Sequence, residues 1–145
     1  SHTGIKTIED ILTVTKNPII ASHSGARALR NHYRNLTDDQ IKAIAQGGGV
    51  IGVVFYTYFI SAAPTSSVTI DTVIKHIEYI KNLVGIDHVA IGSDYDGGIT
   101  APAGLENVSK LQNLTMALLR KGYSSAEVRK ILGENYLRVF KAVCK

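Results

Sequence analysis

The chain has 145 residues, of which 45% are hydrophobic and 19% are charged, and its formal net charge is +4. This composition excludes a disordered chain. The length suits one domain with its own core, but it is too short for a complete (β/α)8 barrel, which needs about 250 residues.

Several classes of protein are disfavoured by the residue usage. The basic residues are scattered rather than clustered, so no nucleic-acid partner is expected. Cys144 is the only cysteine, which excludes a disulfide framework and a cysteine-based zinc site. The longest apolar run, at 50–56, has only the length of a strand, so neither a signal peptide nor a membrane partner is predicted.

Five segments repeat apolar residues at helical spacing. They predict helices over residues 4–15, 37–46, 70–84, 105–119 and 124–142. Two of these helices open with a capping box, in which Thr37 or Ser124 is followed three residues later by Gln or Glu. The three glycines at 47–49 are expected to end the second helix.

Three apolar segments of strand length, 19–22, 50–55 and 88–94, alternate with these helices. Such alternation predicts an α/β fold whose parallel strands are joined by helices. Even with a strand fragment at residues 1–2, the sheet is smaller than an open doubly wound sheet. The pattern therefore fits one half of a (β/α)8 barrel better.

Polar residues that can bind a metal follow the predicted strands. His23 ends the first strand in a Ser-His pair, and His2 lies 21 residues upstream in a similar pair. The carboxyl ends of parallel strands lie on one rim, where neutral imidazoles are common zinc ligands. The competing interpretation of each histidine is an ordinary exposed or hydrogen-bonded side chain.

Two further residues have both a functional and an ordinary interpretation. Arg34 is either a solvated surface arginine or an arginine whose guanidinium binds a substrate carboxylate through two hydrogen bonds. Asp94, at the end of the third strand, is either a turn residue or a rim carboxylate that acts as acid, base or amine ligand. His76 and His88 are predicted to be structural.

Five short motifs follow one another along the chain, at 21–24, 33–38, 49–53, 92–97 and 133–140. Together they resemble the renal or membrane dipeptidase family of zinc peptidases, the M19 type. The resemblance covers essentially the whole chain, but it corresponds only to the C-terminal half of the family's length. It implies the C-terminal part of a (β/α)8 TIM barrel.

The resemblance also implies a chemistry. Members hydrolyse dipeptides, some open β-lactams, and a complete site holds two zinc ions bridged by a glutamate and a water or hydroxide. By position, His2 and His23 correspond to two ligands of one zinc. Arg34 corresponds to the residue that binds the dipeptide carboxylate, and Asp94 to an acid that contacts the substrate amine and assists proton transfer. Phe59 stands where a member may carry tyrosine.

The family's other ligands belong to the N-terminal half, which has no equivalent here. Residues 1–145 are therefore expected to form a single fragment with at most a partial zinc site, inactive without an N-terminal half-barrel or a homo-oligomer. Alternatives are a non-catalytic half-barrel module and a related metal-dependent amide or β-lactam hydrolase. Short loops and the presence of only one cysteine favour a cytoplasmic location.

Overall fold

The structure, a computed structural model, describes residues 1–144. Helices and strands alternate over most of this length. In chain order they are α1 (Ile5–Val14), β1 (Ile20–Ser24), α2 (Asp38–Gln46), β2 (Val50–Val53), α3 (Thr57–Ile60), α4 (Ile70–Val84), β3 (Val89–Ile91), α5 (Leu111–Arg120), α6 (Ser125–Arg129) and α7 (Asn135–Val143).

The three strands form one parallel sheet in the order β1-β2-β3. The central strand β2 is buried along its whole length, as expected for a strand covered on both faces. The predicted α/β class, with parallel strands separated by helices, is therefore confirmed.

The pairing of β1 with β2 contains one irregularity that bears on function. Ala21 pairs with Ile51 and Ser24 pairs with Val53, so two residues of β1 lie opposite the single residue Gly52. Such a β-bulge leaves the extra residue outside the regular ladder and changes the direction of its side chain. Here the bulge contains Ser22 and His23.

Some predicted boundaries were wrong. The first strand extends to Ser24 rather than ending at 22, and the third is confined to Val89–Ile91. Residues 1–2 lie outside regular secondary structure. The last predicted helix is divided by a π-helical turn at Lys130–Glu134, where Gly133 leaves helical geometry, as expected for a residue with low helix propensity.

The capping boxes at Thr37 and Ser124 both form, with the side-chain and backbone bonds of each motif present. They satisfy backbone N–H groups that the first turn of a helix leaves free. The predicted helix starts at these two positions are therefore confirmed.

Neighbouring residues of a strand point to opposite faces of the sheet, and helices cover both faces. Ile51 of β2 belongs to the main core, together with Ile74 of α4 and Leu114 of α5. Val50 instead packs in a smaller cluster with Val139 of α7. The helix α7 thus covers the face opposite to α4 and α5.

The loop after β1 is held by the buried side chain of Asn35. Its Oδ1 accepts the Gly25 N–H at 2.9 Å, and its Nδ2 donates to the carbonyls of Arg30 at 2.9 Å and Phe59 at 2.6 Å. One amide group therefore ties together the end of β1, the loop and α3.

His76 of α4 makes a second connection to the same loop. Its Nδ1 accepts the Ala26 N–H at 3.0 Å, and its Nε2 donates to the Ile60 carbonyl at 3.0 Å. Burial lowers the pKa of His76, with the Ile60 bond opposing, and the neutral ring suits both bonds. The predicted structural role of His76 agrees with this geometry.

An apolar surface remains exposed where β1 meets α7. Ile20, Leu137 and Phe140 line a groove of about 680 Å³, and the Phe140 side chain is 62% exposed. Among residues 1–144, β1 pairs only with β2, so its other edge is free along this groove. Over the same residues, every helix is too short or too polar to span a bilayer.

The glycine triplet before β2 provides a matched test of the packing. A Cβ on Gly49 would clash with the Ile19 carbonyl oxygen and lie 2.8 Å from that of Ile44. A Cβ on Gly47 would meet its nearest atom at 3.6 Å, which is an ordinary contact. We therefore expect Gly49→Ala to lower the free energy of unfolding by about 1–3 kcal/mol in urea denaturation.

The control, Gly47→Ala, should stay within about 0.5 kcal/mol of wild type. Equal effects of the two substitutions would contradict the close approach of the backbone at Gly49.

Candidate active site

Two histidines meet at the carboxyl end of β1. The Nε2 atoms of His2 and His23 lie 2.9 Å apart, and their rings are edge to face with centroids 4.9 Å apart. Because each neutral ring has one protonated nitrogen, one Nε2 donates and the other accepts in this arrangement. The structure thus brings together the two histidines that the sequence singled out.

A serine hydroxyl fastens the His2 segment to the strand. Ser1 Oγ accepts the His23 N–H at 2.9 Å and lies 3.2 Å from Ser24 Oγ. On the other side of the His23 ring, Ser22 Oγ lies 3.0 Å from Nδ1. His2 itself has a left-handed backbone with φ of 66°, which is uncommon for a residue with a side chain.

Arg34 points at the same imidazole from the following loop. Its Nη2 lies 3.2 Å from His23 Nε2, and its guanidinium carbon lies 5.1 Å from the centre of the Phe59 ring. The Nε atom of Arg34 is buried and has no hydrogen-bond partner within residues 1–144. A buried donor without an acceptor suits a ligand that brings an acceptor of its own.

Asp94 follows β3 in a tight turn. Its backbone is left-handed, with φ of 66°, and its carbonyl accepts the Gly97 N–H at 3.0 Å. The carboxylate lies over Gly97, where a Cβ would be 2.5 Å from Oδ1. Asp94 also borders an open pocket of about 690 Å³ together with Asp96 and Glu106.

Burial, assisted by the neighbouring positive groups, favours the neutral form of His23. Burial lowers the pKa of His23 most, and the nearby His2 and Arg34 lower it further, while the negative charge of Asp94 acts in the opposite direction. A metal binds the neutral imidazole, so a lowered pKa extends metal binding to lower pH.

The His2–His23 pair fits part of a metal site. Two nitrogens that bind one tetrahedral zinc at 2.0–2.1 Å stand about 3.3 Å apart, close to the 2.9 Å found here. Among residues 1–144, however, no group of three or more His, Cys, Asp or Glu side chains is arranged to hold a metal. A catalytic zinc typically has three protein ligands, so these two donors alone would form an incomplete site.

Sequence reasoning missed several residues that shape this site. His32 is buried and stacks on Phe59 with ring centroids 4.6 Å apart. Its Nδ1 accepts the Arg34 N–H at 3.2 Å. The order His32, Arg34, Asn35 along the chain was a usable signal, because polar residues packed so closely in a loop need partners.

His88, predicted to be structural, and Tyr58 lie outside the site. His88 lies before β3, at the opposite end of the sheet, and its Nδ1 contacts the Gly49 carbonyl oxygen at 2.8 Å. Tyr58 packs edge to face against His32, with ring centroids 5.2 Å apart, and the residue is 57% exposed.

Comparisons with known proteins agree with this picture. The family model of the membrane dipeptidases, peptidase family M19, matches residues 1–145. The dipeptidase ataJ of Aspergillus terreus is 40% identical over 143 residues, which are 99% of this chain and 35% of that protein.

Two solved structures are similar over nearly the whole chain. Dipeptidase AC, a metallopeptidase of family M19, is 32% identical with a TM-score of 0.92, over 98% of this chain and 42% of its own. A metallopeptidase from Rhodobacter sphaeroides, liganded with a phosphinate mimic of the dipeptide L-Ala-D-Ala, has the same identity and TM-score, over 98% of this chain and 41% of its own.

The chain thus spans 35–42% of the length of these three relatives while matching them almost from end to end. The resemblance predicted from the five motifs is confirmed by the family model. This chain belongs to the membrane dipeptidase family, peptidase family M19.

Proposed function

We propose that this chain supplies the C-terminal part of the active site of a zinc-dependent dipeptidase. The observation that carries the proposal is the contact between the Nε2 atoms of His2 and His23, with Arg34 beside them, in a chain of the M19 family. In this proposal the three strands belong to a (β/α)8 barrel, of which residues 1–145 form the C-terminal half.

His2 and His23 are the proposed zinc ligands in this chain. Zinc, when bound, acts as a Lewis acid toward the peptide carbonyl of the substrate. The hydroxyl of Ser22 beside Nδ1 orients the His23 ring, which keeps Nε2 directed at the metal position. The proposed role of the two histidines is to hold the metal, and neither transfers a proton.

Arg34 is the proposed anchor for the free carboxylate of the dipeptide. Its guanidinium is held by Phe59 on one face, and its buried Nε has no partner among the described residues. A guanidinium can bind a carboxylate through two parallel N–H···O bonds, which fixes the substrate in direction as well as in distance. This anchor would place the peptide bond of a dipeptide near the two histidines.

Asp94 is proposed to bind the substrate amine and to move a proton. Hydrolysis adds water across the peptide bond, so the departing nitrogen must gain a proton as the C–N bond breaks. A carboxylate held on the rim, as Asp94 is above Gly97, can accept the proton from water and return it to that nitrogen.

The missing ligands are proposed to come from a second segment that completes the barrel. The free edge of β1 and the exposed Ile20, Leu137 and Phe140 form a surface suited to such a partner, since apolar surfaces of this kind are usually covered. An N-terminal half-barrel of the M19 type is the proposed partner. A second copy of this chain is the alternative.

A chimera tests the proposal. Residues 1–145 would replace the matching segment of the Rhodobacter sphaeroides metallopeptidase, and hydrolysis of L-Ala-D-Ala would be measured with and without zinc. We expect zinc-dependent hydrolysis by the chimera and none by the isolated chain, because the two histidines alone make an incomplete site.

Within the chimera, His23→Gln should abolish zinc-dependent hydrolysis. His88→Gln, at the other end of the sheet, is the matched control and should retain it. Hydrolysis by the isolated chain would contradict the partial site, and activity of His23→Gln would contradict the proposed ligand.

The substrate carboxylate can be tested through Arg34. In the chimera, Arg34→Ala should raise KM for dipeptides with a free carboxylate about 10- to 100-fold, since it removes a charged hydrogen-bonded pair. KM for the same dipeptide with an amidated C-terminus should not change. If the substitution affects both substrates equally, Arg34 does not recognise the carboxylate, and a different amide or lactam substrate becomes the better proposal.

Asp94 and Asp96 form a matched pair for the proton-transfer step. Both lie in the turn after β3 and differ in position rather than in charge. In the chimera, Asp94→Asn should lower kcat about 100-fold or more, because general acid–base groups contribute at least that much. Asp96→Asn should leave kcat close to wild type, and the reverse result would assign the role to Asp96.

A further inference from the structure

One of the five motifs, residues 133–140, has no part in the chemistry proposed above. It contains the end of the π-helical turn and most of α7, the helix that packs on the face of the sheet opposite to α4. Three of its polar side chains, Asn135, Tyr136 and Arg138, donate hydrogen bonds to backbone carbonyls of the strand region.

Asn135 and Arg138 fix α7 beneath the starts of two strands. The buried Nδ2 of Asn135 donates to the carbonyls of Ile86 at 2.8 Å and Val89 at 2.7 Å. Arg138 donates to the carbonyls of Gly48 at 2.7 Å and Asp87 at 2.8 Å. Four bonds thus fix the position of the helix relative to β2 and β3.

Tyr136 lies between these two residues, and its side chain extends along the face of the sheet that α7 covers. Its ring packs against the cluster that contains Val50 and Val139. Its hydroxyl donates to the Ser22 carbonyl at 3.2 Å. Burial raises the pKa of Tyr136 to about 12, so the hydroxyl keeps its proton and remains a donor at any physiological pH.

Two glycines leave the space that this contact requires. A Cβ on Gly52 would clash with both the Tyr136 hydroxyl and the Ser22 carbonyl oxygen. A Cβ on Gly92 would clash with the same carbonyl oxygen and lie 2.9 Å from the His23 Cα. The Ser22–His23 backbone therefore lies against strand positions that have no side chain.

The peptide unit between Ser22 and His23 is held at both of its polar groups. Its carbonyl accepts from Tyr136, and its N–H donates to Ser1 Oγ at 2.9 Å. This unit lies in the β-bulge, where regular pairing with β2 is interrupted. A strand residue outside the ladder needs other partners to fix its direction.

We infer that Tyr136 is a positioning residue for the metal ligand His23, acting through the Ser22 carbonyl. The inference rests on the proposed function, because it takes His23 as a ligand. Holding this peptide plane at both polar groups restricts the directions in which the His23 Cα–Cβ bond can leave the backbone. The restriction favours the orientation in which the imidazole contacts His2 and Arg34.

The test compares two tyrosines in the 145-residue chain. Tyr136→Phe removes the hydroxyl and keeps the ring. Tyr123→Phe is the matched control, because its hydroxyl is also buried but has no hydrogen-bond partner within residues 1–144. Zn²⁺ affinity would be measured by competition with a chromophoric chelator, and Co²⁺ would report the ligand set through its visible spectrum.

We expect Tyr136→Phe to weaken Zn²⁺ binding about 3- to 10-fold. Substitution of a group that orients a metal ligand typically lowers metal affinity about 10- to 100-fold, so this expected loss is small. The Co²⁺ spectrum should change as well. Tyr123→Phe should leave affinity and spectrum at wild type. Tyr136→Phe with unchanged affinity and spectrum would overturn the inference, as would an equal loss in both variants.

A second readout needs no metal. In wild type, the imidazole ¹⁵N chemical shifts of His2 and His23 should show a fixed donor and a fixed acceptor at Nε2, as their contact requires. In Tyr136→Phe these shifts should move toward the average of a free imidazole. Unchanged shifts would also overturn the inference.

Gly52→Ala perturbs the same peptide from the facing position of β2. Its Cβ would displace the Ser22 carbonyl, so it should weaken Zn²⁺ binding at least as much as Tyr136→Phe does. Gly47→Ala, whose Cβ meets only ordinary contacts, is its control. Wild-type Zn²⁺ affinity in a folded Gly52→Ala variant would contradict the role of this contact.

The variant His23→Gln distinguishes a failure of the proposed ligand from a failure of the positioning role of Tyr136. If His23→Gln lowers Zn²⁺ affinity and Tyr136→Phe does not, the positioning role fails while the proposed ligand stands. If His23→Gln has no effect on Zn²⁺ affinity, His23 is not a ligand, and both the proposed site and the inference fail.

Discussion

The bulge in β1 is the constraint on which the site depends. Two residues, Ser22 and His23, lie opposite the single residue Gly52 in an otherwise regular parallel pairing. The bulge changes the direction of the His23 side chain, so that its ring contacts His2 and Arg34. Because the bulged peptide loses its regular pairing, its polar groups must find partners elsewhere, and these come from both ends of the chain.

The loop that carries Arg34 is held by buried polar groups rather than by the sheet. Asn35 and His76 tie the loop after β1 to α3 and α4, and Phe59 and His32 then support Arg34. Removing one partner from such a network leaves a buried donor or acceptor unsatisfied, which costs about 1–3 kcal/mol. The loop can therefore present Arg34 in one orientation, which suits the proposed binding of a carboxylate.

Much of the fold follows from local pattern. The capping boxes at Thr37 and Ser124 and the apolar spacing of α4 are properties of neighbouring residues, so their positions could be predicted from sequence. Strand limits were less accurate, because pairing decides where a strand ends: Ser24 is polar, yet it belongs to β1 by its register with Val53. The division of the last helix at Gly133 was missed because the apolar spacing continues across it, and the low helix propensity of one glycine was the only local signal.

The sequence by itself determined the α/β class and the family, since these depend on pattern and motif order, and it singled out His2, His23, Arg34 and Asp94 as predicted site residues. Only the tertiary structure decided that His2 meets His23 at 2.9 Å, that Asn35 and His76 hold the loop, and that Tyr136 bonds to Ser22. The physical reason is sequence separation. The Tyr136–Ser22 bond joins residues 114 positions apart, and local preferences do not specify a contact that exists only once the sheet and α7 have packed.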